Sequence, residues 1–88
     1  MIGKQAIEDV IRNVLGDVLS IDAKRTAAFQ TDTPLFGALP ELDSMAVASL
    51  LTELEDRLGF MIDDDEVDMD MLETFGALVA FVRDKVQA

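Results

Sequence analysis

The sequence predicts an all-α fold, a bundle of three longer helices plus one short helix, with a long loop between helices 1 and 2. Three stretches of the chain repeat apolar residues at spacings of three and four, the period of a helix with one buried face. No stretch sustains the alternation at period two that a half-buried strand produces. Because 88 residues suffice for one domain, we expect a single domain spanning 1–88.

The first predicted helix runs from about Lys4 to Ser20. Its apolar face consists of Ile7, Val10, Ile11, Val14, Leu15 and Val18. Residues 21–43 then break the helical pattern with turn formers such as Gly37 and Pro40. This segment also holds two phenylalanines and three leucines, and loops of such length are usually functional or packed down. We therefore expect an ordered crossover whose apolar side chains close one end of the bundle.

The second predicted helix begins at Asp43 or Ser44 and runs to about Leu58. Its apolar stripe consists of Val47, Leu50, Leu51, Leu54 and Leu58. Gly59 follows the last residue of the stripe, where a glycine in the left-handed conformation commonly ends a helix.

The last third of the chain predicts one short helix and one longer helix. Acidic residues at 63–66 supply capping groups and negative charge for a short helix near Glu66 to Met71. The final helix is expected from about Thr74 to Val86. Its core face consists of Phe75, Leu78, Val79, Val82 and Val86.

The composition argues against catalysis by the chain alone. The sequence has no cysteine and no histidine. Disulfides and thiolate metal sites are therefore excluded, together with the usual general base near neutral pH. The acidic stretch 63–70 offers oxygen ligands but lacks the glycine and terminal glutamate of an EF-hand loop. We expect no enzyme activity and no specific metal site, with at most loose binding of divalent cations.

The chain is strongly acidic, with 18 acidic against 7 basic residues and a net charge of −11. This charge repels nucleic acids and anionic membranes, and it favours partners with basic patches. Solubility alone is the alternative explanation of the same charge. Charged residues interrupt the first 20 positions, and no apolar run approaches the ~20 residues of a membrane span. We expect a cytoplasmic monomer.

Ser44 permits two interpretations from its local pattern. A serine or aspartate just before a helical stripe is usually an N-cap. The same position is exposed, and the unpaired N–H groups of a helix start stabilise a phosphate ester. With no histidine to activate it, Ser44 would have to be modified by a separate transferase.

The region Leu39-Pro40-Glu41-Leu42-Asp43-Ser44-Met45, followed by a helix with Glu53-Leu54-Glu55-Asp56, resembles the Asp-Ser-Leu region of acyl carrier proteins. The likeness covers most of the chain. An amphipathic helix and a long loop with Thr33-Pro34-Leu35-Phe36-Gly37 precede the Asp-Ser helix. An acidic connector and a terminal helix that begins with Thr74-Phe75 follow it.

The resemblance implies a carrier of acyl thioesters with the acyl-carrier fold. Ser44 matches the serine that receives 4′-phosphopantetheine from coenzyme A, and Asp43 matches the aspartate that helps the modifying enzyme recognise the site. Met45 matches an exposed apolar contact for partners. Glu53, Glu55 and Asp56 match the acidic face that meets basic patches. The implied partners are a phosphopantetheinyl transferase and acyl-loading or acyl-transfer enzymes.

The sequence departs from the family pattern at three positions. Glu41 replaces the usual glycine, and Ala46 and Ser49 stand where carriers of fatty acid synthesis are often acidic. These differences favour a specialised pathway over generic fatty acid synthesis.

Two further interpretations concern the interior and the function class. Val47, Leu51 and Leu54, with Phe and Met residues from the loop and from 60–62, are candidate walls for a sheltered acyl chain, although ordinary core packing explains each of them. The alternative function is an acidic interaction module without a prosthetic group, in which Ser44 only caps the helix.

Overall fold

A computed structural model describes residues 4–68 and 70–87. In chain order the elements are α1 (Lys4–Leu19), α2 (Ala23–Ala27), α3 (Ser44–Leu58), two 3-10 turns (Asp64–Glu66 and Asp70–Leu72) and α4 (Phe75–Gln87). The fold is all-α with three long helices, as predicted, and the described ranges contain no strand beyond one isolated bridge between Pro34 and Thr74. Within those ranges no helix has both the length and the apolar character needed to cross a bilayer.

The crossover between α1 and α3 contains a five-residue helix, α2, that the sequence did not predict. The Asp22 side chain caps it by accepting a hydrogen bond from the Lys24 N–H at 2.8 Å. Thr26 is buried and its hydroxyl donates to the Ala23 carbonyl at 3.1 Å. A helix of little more than one turn has too few positions to show the periodicity of a buried face.

The expected short helix from Glu66 to Met71 is wrong, because this stretch forms the two separate 3-10 turns instead. The Asp68 carboxylate accepts from the Met71 N–H at 3.0 Å, a group that a continuous helix would pair with a backbone carbonyl. Such side-chain acceptors compete with the helical ladder.

The crossover is tied to the start of α4 by an antiparallel pairing of residues 31–36 with 72–76. Four backbone hydrogen bonds form it: Leu35 N–H to Glu73 O, Phe36 N–H to Leu72 O, Phe75 N–H to Thr33 O, and Gly76 N–H to Thr31 O. Gly76 lies so close to Thr31 that a Cβ atom there would come 2.6 Å from the Thr31 carbonyl oxygen. The pairing fixes the crossover across the end of the bundle.

The core is formed by α1, α3, α4 and the apolar residues of the crossover. Its wholly buried side chains are Ile7, Ile11, Val14, Leu15, Leu35, Leu50, Leu54, Leu72, Phe75, Leu78 and Val82. Phe29 of the crossover packs on Phe75, with ring centroids 6.0 Å apart. The Arg12 guanidinium lies 4.9 Å from the Phe75 ring centre and donates to the Phe29 carbonyl at 2.9 Å. The crossover is thus ordered and packed, as expected.

Candidate functional site at the start of α3

Asp43, and not Ser44, is the N-cap of α3. Asp43 has extended backbone angles, and its carboxylate accepts a hydrogen bond from the Ala46 N–H at 2.8 Å. Its carbonyl accepts from the Val47 N–H at 2.9 Å, which is the first bond of the helix. The interpretation of Ser44 as the cap is therefore wrong, because the preceding residue, Asp43, is the N-cap.

Ser44 is the first helical residue, and its side chain is exposed. In the part of the chain that the structure describes, the Ser44 hydroxyl makes no hydrogen bond, and the N–H groups of Ser44 and Met45 are likewise unused. These donors lie at the positive end of a helix of 15 residues. The position suits a phosphate ester on the serine oxygen, because the ester oxygens gain hydrogen-bond donors without displacing any existing contact.

A groove of about 440 Å³ runs from Ser44 between α3 and the segment that follows it. Its lining comprises Ser44, Val47, Ala48, Leu51, Thr52 and Glu55 of α3, with Ile62 and Val67 opposite. Of the three candidate walls, Val47 and Leu51 line the groove. Leu54 does not, because it is wholly buried in the core. Ile62 joins them from the connector, whereas the Met61 side chain is 75% exposed.

The four candidate partner residues differ in their surroundings. Met45 is 82% exposed and Asp56 is also exposed. Glu53 is half-buried and accepts from Arg57 Nε at 3.1 Å. Glu55 is half-buried and accepts from the Ile62 N–H at 2.6 Å. Of the four residues, only Met45 and Asp56 could therefore contact a partner without losing a hydrogen bond or an ion pair within the chain.

Arg57 partly neutralises the acidic face of α3. Besides Glu53, it contacts Asp17 of α1 at 2.7 Å. The hydrogen bond that Arg57 donates to Asp17, followed by the one that it donates to Glu53, raises the pKa of Arg57 above its ordinary value. Arg57 thus stays charged at every physiological pH and ties α3 to α1.

Glu41, which replaces the usual glycine before the Asp-Ser pair, connects α2 to the start of α3. Its carboxylate lies 3.2 Å from Arg25. A hydrogen bond from its own main chain, followed by the Arg25 guanidinium, lowers the pKa of Glu41 below 4.5. The carboxylate that Glu41 introduces in place of the usual glycine therefore forms an ion pair within the chain, with Arg25.

The acidic segment after α3 does not assemble a metal site among the described residues. No group of three or more potential ligands in that part of the chain is placed to hold a cation. The side chain of Asp64 lies outside the described part. Glu66 instead contacts Lys85 of α4 at 2.8 Å.

Two comparisons with known proteins agree with this geometry. The profile of a family described as a phosphopantetheine attachment site matches residues 9–82. The fold is also similar to the solution structure of a holo acyl carrier protein from Nitrosomonas europaea, with a TM-score of 0.84 and 42% sequence identity. That match covers 96% of this chain and 99% of the other.

The family settles several of the expectations raised by the sequence. Its members are carriers and not enzymes, and the prosthetic group is a covalently attached phosphopantetheine. An exposed serine with a free hydroxyl, at a helix start beside an apolar groove, is suited to be the attachment site of such a group. The alternative of an interaction module without a prosthetic group is therefore set aside. The chain belongs to the acyl carrier protein family, whose members carry acyl groups on a phosphopantetheine arm.

Proposed function

We propose that Ser44 is the residue to which the phosphopantetheine arm is attached, and that the arm's thiol carries an acyl group as a thioester. The observation that carries this proposal is the free and exposed Ser44 hydroxyl at the first position of α3. The helix start supplies unpaired N–H groups for the phosphate of the arm. Asp43 supports the same role by holding the first turn of α3 in place.

The chain's own residues supply the acceptor for attachment and not the catalyst. The Ser44 oxygen forms a new bond to the phosphorus that bears pantetheine, the P–O bond to the second phosphate of coenzyme A breaks, and adenosine 3′,5′-bisphosphate is the leaving group. The serine proton has no histidine to receive it in this chain. The transferase therefore provides the base and the magnesium ion.

The groove beside Ser44 provides shelter for an apolar load. Val47 and Leu51 lie on one side of it, and Ile62 and Val67 lie on the other. Moving an alkyl chain from water into such surroundings is favourable by about 0.8 kcal/mol for each buried methylene. Shelter of this kind slows hydrolysis of the thioester because it keeps water from the carbonyl carbon.

The partners are a phosphopantetheinyl transferase and acyl-loading or acyl-transfer enzymes with basic patches. Met45 and Asp56 are the exposed contacts available to them, beside the paired Glu53 and Glu55. Ala46 and Ser49 reduce the charge at the front of α3, which favours a specialised fatty acid, lipid or polyketide-type pathway. We propose a monomer that acts in the cytoplasm, where coenzyme A is available.

Intact mass spectrometry tests the attachment site. After incubation with coenzyme A, magnesium and a broad-specificity transferase, the protein should gain the mass of one phosphopantetheine. Ser44→Ala should gain nothing. Ser49→Ala is the matched control, since Ser49 is an exposed serine on the same helix, and it should be modified like the unaltered protein. Modification of Ser44→Ala would contradict the assignment.

Mass spectrometry of the protein isolated from its native cells tests the pathway. The mass of the group released from the arm identifies the acyl load. A straight saturated chain of the kind made in bulk lipid synthesis would contradict a specialised role.

A further inference from the structure

The wall of the groove opposite α3 has little regular structure of its own. Among the described residues between Gly59 and the turn at Asp70–Leu72, its only element is the three-residue turn Asp64–Glu66. The wall contributes Ile62 and Val67 to the groove, yet Met61 between α3 and Ile62 is exposed. Phe60 and Val67 pack against the core on either side of Ile62, so apolar packing holds the ends of this segment, and polar contacts are needed to fix Ile62 between them.

Glu55 holds the near end of that wall in two ways. Its carbonyl accepts the N–H groups of Gly59 at 2.9 Å and Phe60 at 3.3 Å, which ends α3. Its carboxylate then reaches past this turn to accept the Ile62 N–H at 2.6 Å. Hydrogen bonds to an ionised carboxylate are among the stronger ones in proteins, especially when they are partly shielded from water.

The far end of the same segment is held by a second carboxylate. Glu66 accepts the Asp63 N–H at 3.0 Å and contacts the Lys85 ammonium of α4 at 2.8 and 2.9 Å. Ile62 and Val67 thus lie next to two polar attachments, one to α3 and one to α4. The Glu55 attachment differs from the other because the Glu55 side chain is itself part of the groove lining.

We propose that Glu55 is a positioning residue of the groove, which sets the groove's width by holding Ile62 against α3. This role is distinct from docking, where an acidic residue on this face would serve basic partners. When the carboxylate is removed, the Ile62 N–H has to turn to water, and the wall moves away from Val47 and Leu51. The size of acyl group that the groove shelters then increases. The inference about cargo rests on attachment of the arm at Ser44.

The first test uses the unmodified protein and hydrogen exchange at the Ile62 amide. Loss of a hydrogen bond to a charged acceptor corresponds to roughly a tenfold or greater rise in exchange rate. Glu55→Ala should show that rise at Ile62 without a comparable rise at core amides such as Leu54. Glu55→Gln, which keeps an oxygen acceptor, should restore most of the protection. Asp84→Ala, which removes an exposed carboxylate on α4, should leave Ile62 exchange unchanged.

Glu55→Asp is the second variant, for use if Glu55→Ala does not fold. It keeps the negative charge, but its side chain is one methylene shorter and cannot span the same distance. Ile62 should therefore exchange faster in Glu55→Asp than in Glu55→Gln. The opposite order would overturn the proposal, because charge and not reach would then control the segment.

The second test uses proteins loaded with straight acyl chains of increasing length. The rise in melting temperature caused by each chain should reach its maximum at a longer chain in Glu55→Ala than in the unaltered protein. Glu55→Gln and Asp84→Ala should keep the original optimum. An unchanged optimum in Glu55→Ala would overturn the role in cargo size. A protein that cannot be loaded at Ser44 would contradict the proposed function instead, and the exchange experiment would still decide the role of Glu55.

Discussion

Asp43 caps α3, and we propose that its charge also helps the transferase recognise Ser44; two substitutions separate these two roles. Asp43→Ala removes both the acceptor for the Ala46 N–H and the negative charge. Asp43→Asn removes the charge but keeps a side-chain oxygen in the capping position, because asparagine is as good an N-cap as aspartate. Comparison of the two variants therefore assigns each effect to its cause.

The magnitude of the structural effect follows from the cap geometry. The Asp43 carboxylate lies 2.8 Å from the Ala46 nitrogen, and the bond is exposed to solvent. Replacing such a cap with alanine costs about 1 kcal/mol of the free energy of unfolding. For a domain of this size, that loss corresponds to a fall of about 4–8 °C in the melting temperature. The melting temperature of Asp43→Asn should fall by only a small fraction of this amount, because an uncharged cap interacts more weakly with the helix dipole.

Thermal unfolding and a transferase assay together measure both effects. We expect Asp43→Asn to melt near the unaltered protein. If the transferase recognises the Asp43 charge, as proposed, this variant is modified at Ser44 with a lower kcat/KM. Asp43→Ala should show the lower melting temperature as well as slow modification. A melting temperature unchanged in Asp43→Ala would refute the capping argument. Modification of Asp43→Asn at the original rate would refute recognition of the charge.

Three other predictions concern the loop pairing, an ion pair and the docking face. Gly76→Ala should lower the free energy of unfolding by about 1–3 kcal/mol in urea titrations, because its Cβ overlaps the Thr31 side chain and lies 2.6 Å from the Thr31 carbonyl oxygen. Thr31→Ala should not rescue it, since the backbone contact remains, and full rescue would contradict this account. The hydrogen bond from Lys85, followed by that from the Asp63 main chain, lowers the pKa of Glu66 below 4.5. The Glu66 carboxylate therefore contributes its full stabilisation above pH 4.5. This stabilisation is lost as the pH falls through the pKa of Glu66 in the folded state. The difference in melting temperature between Glu66→Gln and the unaltered protein should therefore be present at neutral pH and vanish in acid, and a difference that grew in acid would reverse the sign of the argument. Arg57→Ala should change the free energy of unfolding little, because its ion pairs are exposed, yet it should speed modification by a basic transferase at low salt. The gain should disappear at high salt, and a gain that persisted there would show that it is not electrostatic.

The long helices could be predicted from the sequence because each buries one face against the same core. The period of that face defined α1, α3 and α4 to within one or two residues. The short elements show no such periodic pattern of apolar residues in the sequence. The helix Ala23–Ala27 makes little more than one turn, and in the segment 63–72 side-chain acceptors such as Asp68 decide which backbone N–H groups remain for a helix.

The candidate site was located by sequence, but the contacts of its residues were not. Asp43 and Ser44 are adjacent candidates for one cap, and only the backbone angles show that the helix begins at Ser44. Glu53 and Glu55 look like free acidic residues on a helix surface. The first meets Arg57 and the second meets Ile62. The contact with Ile62 depends on how the chain turns after Gly59, which is a tertiary property that helical spacing does not encode.

The pairing of residues 31–36 with 72–76 also has a consequence for how the chain folds. A simple helical bundle forms mainly local contacts and reaches its native state quickly. Here, two segments separated by roughly 40 residues must meet before the Gly76–Thr31 and Phe75–Thr33 hydrogen bonds can form, and that closure has an entropic cost. Association of α1 with α3 closes a comparable length of chain, as the Arg57–Asp17 contact shows, but it also buries two long apolar helix faces that offset this cost. We therefore expect α1 and α3 to associate first, and the folding transition state to lack the contacts between the crossover and α4. Substitutions in this pairing should then accelerate unfolding while leaving the folding rate nearly unchanged.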